Sequence, residues 1–288
     1  MPEFVLKGDK NGVIYTDYNG YKSLLDFYNF SKQFNNQSIT INFDAINFFE
    51  ANLCAVLYAM IYSLRTSNNL CFFVDFKCLR GTLNVFFRNG FTDLLCNNQQ
   101  KSKPFDIKDS TIQLKLFEQD DVDNFVEYIE RDFLKQRGLD PVRYADKEKV
   151  KNSYFEIFEN VSLHAETNAP IFVCGQFFPT HEIVKFTLVD LGIGFLPKIK
   201  EFTKDTDRIT TAIDAITWAI KGGSTKIDAK GGNGIKKIFW FSLKNYNSMH
   251  IITNDCYYDL TNQKQNNYKI QKPFLGTTIH LIFSHLSN

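Results

Sequence analysis

From Ser38 onward the apolar positions of the chain fall into readable periods. Ser38-Ile-Thr-Ile-Asn-Phe43 alternates as a half-buried strand does, and Asn52 to Arg65 carries apolar residues at helical spacing. Leu70-Cys-Phe-Phe-Val74 is a short apolar run of the buried-strand kind. Thr82 to Arg88 reads as a second helix, stopped by Asn89-Gly90, where glycine accepts the left-handed turn that ends helices. Strand, helix, strand, helix in this order predicts a parallel sheet with right-handed crossovers.

Between Asn97 and Asp109 the composition turns polar, and Asn-Asn-Gln-Gln-Lys-Ser-Lys-Pro inside it reads as a linker. The expected domains are therefore 1–105 and 106–288. Beyond the linker, Ile112 to Phe117 reads as a strand and Val122 to Gln136 and Lys147 to Ala165 as helices. Ile171 to Phe178 and Glu182 to Val189 look like adjacent strands joined by a turn at Pro179-Thr180-His181. Helices are expected at Arg208 to Ile220 and Ile235 to Leu243, with closing strands at Met249 to Thr253 and Thr277 to Phe283. No internal repeat is visible, and the fold class is α/β.

Four separated elements of the second half carry chemistry. Glu156, Asn160 and His164 stand four residues apart on one predicted helix, which puts them in a single polar stripe opposite Phe155, Phe158 and Val161. Mg²⁺ prefers oxygen ligands and keeps several waters while bridging phosphates, so one side-chain carbonyl such as that of Asn160 can suffice from the protein. A carboxylate one turn away, Glu156, is placed to orient or deprotonate a nucleophile. On most helices such residues simply face solvent. Asp190-Leu-Gly192-Ile-Gly194 follows an apolar strand; a carboxylate there can accept from the amine of adenine, and glycines let backbone approach a flat base, although an ordinary turn has the same composition. Lys230-Gly231-Gly232-Asn233-Gly234 runs into a helix N-terminus, whose free N–H groups suit a phosphate, and Lys226 or Lys230 could approach it. A surface loop would look alike. Gly276-Thr277-Thr278 opens the last strand and is unremarkable by itself.

In this order the four elements resemble the motif boxes of the GHKL ATP-binding domains, the fold of gyrase, histidine kinases and anti-sigma factor kinases, from roughly Phe117 to the C-terminus. The resemblance implies a layered α/β sandwich of the Bergerat type holding ATP and Mg²⁺, with Asn160 on the metal, Glu156 catalytic and Asp190 on the adenine. His164, Gly192, Gly194, Lys226, Gly231, Gly232, Asn233, Gly234 and Thr277 would contact the nucleotide, and a lid would span about Phe195 to Asn233. One departure stands out: the family pattern continues to a further glycine two residues after Gly234, where this chain has Lys236. Ser38 to Leu95 is similar, in pattern rather than motif, to a STAS domain of the anti-sigma factor antagonists. The loop that carries a phosphoacceptor serine in such domains reads Phe49-Glu50-Ala51-Asn52-Leu53 here, and without a hydroxyl it cannot be phosphorylated.

These resemblances together imply a Mg-ATP-binding regulatory protein, either an ATPase or a serine/threonine kinase of the partner-switching type. A nucleotide-gated interaction protein without turnover stands as the alternative. A histidine-kinase-derived protein is the other, although no histidine precedes His164 to accept a phosphoryl group. The expected partners are ATP or ADP and a regulatory protein, with homodimerisation left open. Chaperone or DNA-repair membership, which requires a transducer domain after the ATPase, is set aside.

Composition narrows this a little. The 288 residues are 44% hydrophobic with a net charge of +1, which leaves a nucleic-acid partner unsupported without excluding one. No apolar stretch nears the roughly 20 residues that span a bilayer and none reads as a leader, so no membrane and a cytoplasmic location are expected. The six cysteines lack metal-site spacing and read as buried thiols, and the histidines outside the stripe read as structural or surface residues. No P-loop pattern occurs.

Overall fold

A computed structural model describes residues 1–96, 109–140, 142–164, 166–204, 208–224 and 233–284. The chain is mixed α/β and divides into two compact units, Met1–Lys115 with Phe172–Gln176, and Leu116–Ile171 with Phe177–Asn288. The expected boundary at 105 lies outside the described residues.

In the first unit β1 (Glu3–Val5) and β2 (Val13–Ile14) precede α1 (Tyr18–Ser31); β3 (Ser38–Asn42) and β4 (Phe48–Phe49) precede α2 (Cys54–Asn68), and β5 (Cys71–Phe73) leads to α3 (Val85–Arg88) and α4 (Phe91–Leu95). β3 lies between β1 and β5, parallel to both, as the alternation of strand and helix predicts. α2 buries nearly every residue of its first two turns and ends at Asn69 in the left-handed region (φ 52°). Gly90, at φ 82°, ends the α3 turn and restarts the chain as α4. α1, which the apolar period does not announce, is set by Asp17, whose carboxylate accepts the Gly20 N–H at 2.8 Å, and buries Leu24, Leu25, Phe27 and Tyr28. The loop before α2 is interior: Glu50 accepts the Thr16 N–H at 2.6 Å, and the Thr16 hydroxyl meets the Asn52 side chain.

The division between the units runs through β6 (Thr111–Phe117) and β7 (Ile171–Phe178). The second unit contains α5 (Val122–Tyr128), which a π turn extends, then α6 (Tyr144–His164), β8 (Ile183–Asp190), α7 (Phe195–Thr203), α8 (Ala212–Ile220) and α9 (Gly234–Lys244), and closes with β9 (Ser248–Thr253), β10 (Cys256–Thr261), β11 (Lys264–Lys269) and β12 (Thr277–Ser284). Strands β11, β10, β9, β12 and β8 lie side by side, each antiparallel to its neighbour. Helices cover one face of them. Phe186 of β8 is fully buried against Tyr154 of α6 and stacks 4.4 Å from Phe133, Phe283 of β12 meets Phe241 of α9, and Phe239 of α9 meets Tyr258 of β10.

Phe186 sits where α6, the π turn and β8 converge, so Phe186→Ala is expected to destabilise the second unit by about 3–5 kcal/mol. Urea denaturation checks this; a loss under 1 kcal/mol would mean that the aromatic stack contributes little.

Candidate functional site

Alternation along β8 puts Phe186, Leu188 and Asp190 on the helix-facing side, and the strand ends with the carboxylate of Asp190 aimed into the layer between sheet and helices. Antiparallel register sets Thr277 of β12 opposite Asp190 and Thr253 of β9 opposite Thr277, so the three form one polar row at the end of the sheet. The two threonine hydroxyls are 3.2 Å apart. The row exists because Gly276, at φ 91°, has no side chain: a β-carbon there would lie 1.9 Å from the Asp190 carbonyl oxygen.

Beyond Asp190 the chain turns sharply into α7. The carboxylate accepts the Gly192 N–H at 2.8 Å. Gly194, at φ 78°, passes so close to Thr253 and Asn254 that a β-carbon would lie 2.7 and 2.8 Å from their side-chain atoms. Those same side chains cap the helix that begins there: Phe195 N–H donates to Thr253 Oγ1 and Leu196 N–H to Asn254 Oδ1, each at 3.0 Å, while Asn254 Nδ2 donates to the Ile193 carbonyl.

Between this row and the helices lies a cleft of about 120 Å³, lined among others by Asn160, Ile157, Asp190, Phe195, Trp218 and Thr277. One water needs only about 10–15 Å³, so the cleft can take a flat ring. Phe195 and Trp218 are steadied by the small core of Ile199, Ile209 and Ala215, and α8 is fixed at its start by the Thr211–Asp214 capping box.

Asp190 is buried and has no cation partner among the described residues. Burial pushes its pKa from the ordinary 3.8 up to about 6, against the opposing effect of the Gly192 N–H and the N–H and hydroxyl of Thr277. Asn160, half-buried on the α6 wall, has no hydrogen-bond partner among the described residues. Lys198 reaches the cleft from α7 but is held by Glu166 at 2.8 Å and Glu201 at 3.0 Å, which raise its pKa in that order.

The structure thus brings Asn160, Asp190, Gly194 and Thr277 to the cleft, with Gly192 supporting the carboxylate. Glu156 does not line it. One of its oxygens accepts the Asn233 N–H at 2.9 Å and the other pairs with Lys237, which ties the start of α9 to α6. Gly234 allows this contact, since a β-carbon would lie 2.8 Å from the Ser153 carbonyl oxygen. Lys226, Gly231, Gly232 and the His164 side chain lie outside the described residues. The sequence reading missed Thr253 and Asn254; Asn254-Asp255 is a turn signal, but nothing in it announces a cap donated to a helix some 60 residues earlier. It also missed Trp218 and Phe195, which carry no motif.

His250 and His280 fall on the opposite face of the sheet: His280 meets the Thr187 hydroxyl at 2.7 Å and His250 the Tyr257 hydroxyl at 2.9 Å, a structural role. All six cysteines are free; Cys54, Cys174 and Cys256 are buried as expected, whereas Cys71 and Cys96 are exposed at the ends of short elements. Among the described residues no cluster of three or more His, Cys, Asp or Glu could hold a metal, and no helix is long and apolar enough to cross a membrane. Compared with known proteins, the chain matches no family model and no curated protein.

A carboxyl with a raised pKa favours folding while protonated, so its contribution is present below about pH 4 and lost as pH rises through about 6. Asn at this position does not titrate. Wild type should therefore lose stability relative to Asp190→Asn between pH 4 and 7, by about 3 kcal/mol at most. Denaturation midpoints of both proteins across that range test it, and parallel profiles would mean that Asp190 is solvated.

Proposed function

We propose that the second unit binds Mg-ATP and that the chain is a nucleotide-binding regulatory protein, an ATPase or serine/threonine kinase of the anti-sigma, partner-switching type. The observation that carries this reading is Asp190: a buried carboxylate that lines a cleft and, among the described residues, has no cation beside it and only N–H and hydroxyl donors to stabilise it. Such a group is costly unless a further donor reaches it. The exocyclic amine of adenine is a donor of the right kind, and the flat faces of Trp218 and Phe195 suit a base.

Asn160 is the residue on the same cleft that fits Mg²⁺. Its carbonyl oxygen is a hard, neutral ligand without a partner among the described residues, as expected for an ion that also bridges phosphates and keeps its waters. Bound there, the ion would offset phosphate charge. Glu156 would need to leave Lys237 to act as a base. That engagement favours a second reading, a nucleotide-gated interaction protein with little turnover, in which Glu156 links α6 to α9 and so couples the site to a regulatory partner. The parallel three-stranded sheet of the first unit is in keeping with a STAS-like module as the partner-facing half.

Calorimetric titration with a non-hydrolysable ATP analogue, with and without Mg²⁺, tests the site. Wild type should bind, Asp190→Asn should raise Kd roughly tenfold or more, and Asn160→Ala should remove the magnesium dependence. Absence of binding by the wild type would sink the nucleotide reading. Phosphate release separates the two functions: turnover that Glu156→Ala abolishes supports the enzyme, and its absence in the wild type supports the gated binder.

A further inference from the structure

We infer that Lys236 is the residue that holds the phosphate chain of the nucleotide, and so makes the cleft selective for phosphorylated over bare nucleosides; this rests on the nucleotide reading above. α9 begins at Gly234 and has no acidic residue in its first turn, yet it carries Lys236 and Lys237 there. A helix N-terminus is itself positive, and cations are disfavoured at it by about 0.3–1 kcal/mol. Lys237 is compensated, because it pairs with Glu156. Lys236 is not: among the described residues its ammonium has neither a hydrogen bond nor an ion pair.

Its position is nevertheless defined. Gly222 sits at φ 102°, and a β-carbon there would lie 2.7 Å from Lys236 Nζ and 2.8 Å from its Cδ, so the side chain folds across the glycine backbone instead of extending into water. The next two residues, Gly223 and Ser224, line the cleft, as does Ile235 beside the lysine. Gly223 in turn lies against the Trp218 ring, where a β-carbon would be 2.1 Å away. The Asn233 N–H at the start of α9 is already taken by Glu156, while the ammonium, without a partner among the described residues, stands at one edge of a cleft whose Asp190 end wants a hydrogen-bond donor. A ligand with a neutral, donating head and an anionic tail satisfies both. Lys198, the lysine that lines the cleft among the described residues, is already committed to Glu166 and Glu201.

The test compares a non-hydrolysable ATP analogue with adenosine on wild type, Lys236→Ala, Lys236→Arg and, as a charge control, Lys237→Ala. Lys236→Ala should raise Kd for the ATP analogue roughly tenfold, as losing a charge-assisted hydrogen bond does, and leave Kd for adenosine within about twofold. Lys236→Arg should keep most of the affinity for the analogue, and Lys237→Ala should change it less than Lys236→Ala. Unchanged adenosine binding also reports that the variant is folded. If adenosine binds and the analogue is unaffected by Lys236→Ala, Lys236 is a solvated surface lysine and this inference falls while the nucleotide reading stands. If wild type binds neither ligand, both fall together.

Discussion

The pairing of Thr277 with Asp190 is the constraint on which the second unit's site depends. It joins the ends of two antiparallel strands, and it is available only because Gly276 brings its backbone against the Asp190 carbonyl at a distance no side chain permits. Once that register is set, Thr253 follows on the next strand, and its hydroxyl and the side chain of Asn254 take the first N–H groups of α7. One strand register therefore fixes a buried carboxylate, the turn after it and the entry of a helix. Phe195 belongs to that helix, and the cleft wall is built from it.

How much of this the sequence discloses depends on which force writes the signal. Elements whose position is set by burial on one face are plain: β3, α2, β7, β8 and β12 all stand within a few residues of where the apolar period puts them. Elements set by local polar chemistry are not. α1 mixes Asn19, Gly20 and Asn29 into its run and is secured by a cap and by aromatic packing rather than by propensity. β11 is exposed along its whole length and has no apolar alternation; it exists because Asn262 and Gln263, both at positive φ, form the tight turn that folds it back on β10. α7 has a readable apolar face, but its start is decided by caps from Thr253 and Asn254, which no local window contains.

The site follows the same division. Asp190, Gly192, Gly194 and Thr277 are legible as a strand end followed by glycines and a glycine before a strand, because the glycines mark the backbone geometry that sets the Asp190 carboxylate and the Thr277 hydroxyl in place. Asn160 is legible by helical spacing alone, and the structure puts it on the cleft wall. The same spacing also marks Glu156, but spacing gives only a face of a helix and not what approaches that face. The start of α9 reaches it first, through the Asn233 N–H and Lys237.

That occupation limits how Glu156 can respond to a ligand in the cleft. The Glu156 carboxylate is only 12% exposed, whereas the Lys237 side chain is 51% exposed. The ion pair itself is worth little, since half of it is in water. The backbone hydrogen bond from Asn233 is the stronger restraint, because breaking it would leave a buried oxygen unsatisfied as well as a free N–H. Glu156 can therefore exchange Lys237 for another donor at small cost, but it can leave Asn233 only if α9 moves. Any change in the position of that carboxylate is for this reason a change in the position of a helix, and a ligand that draws on it also draws on the surface that α9 presents.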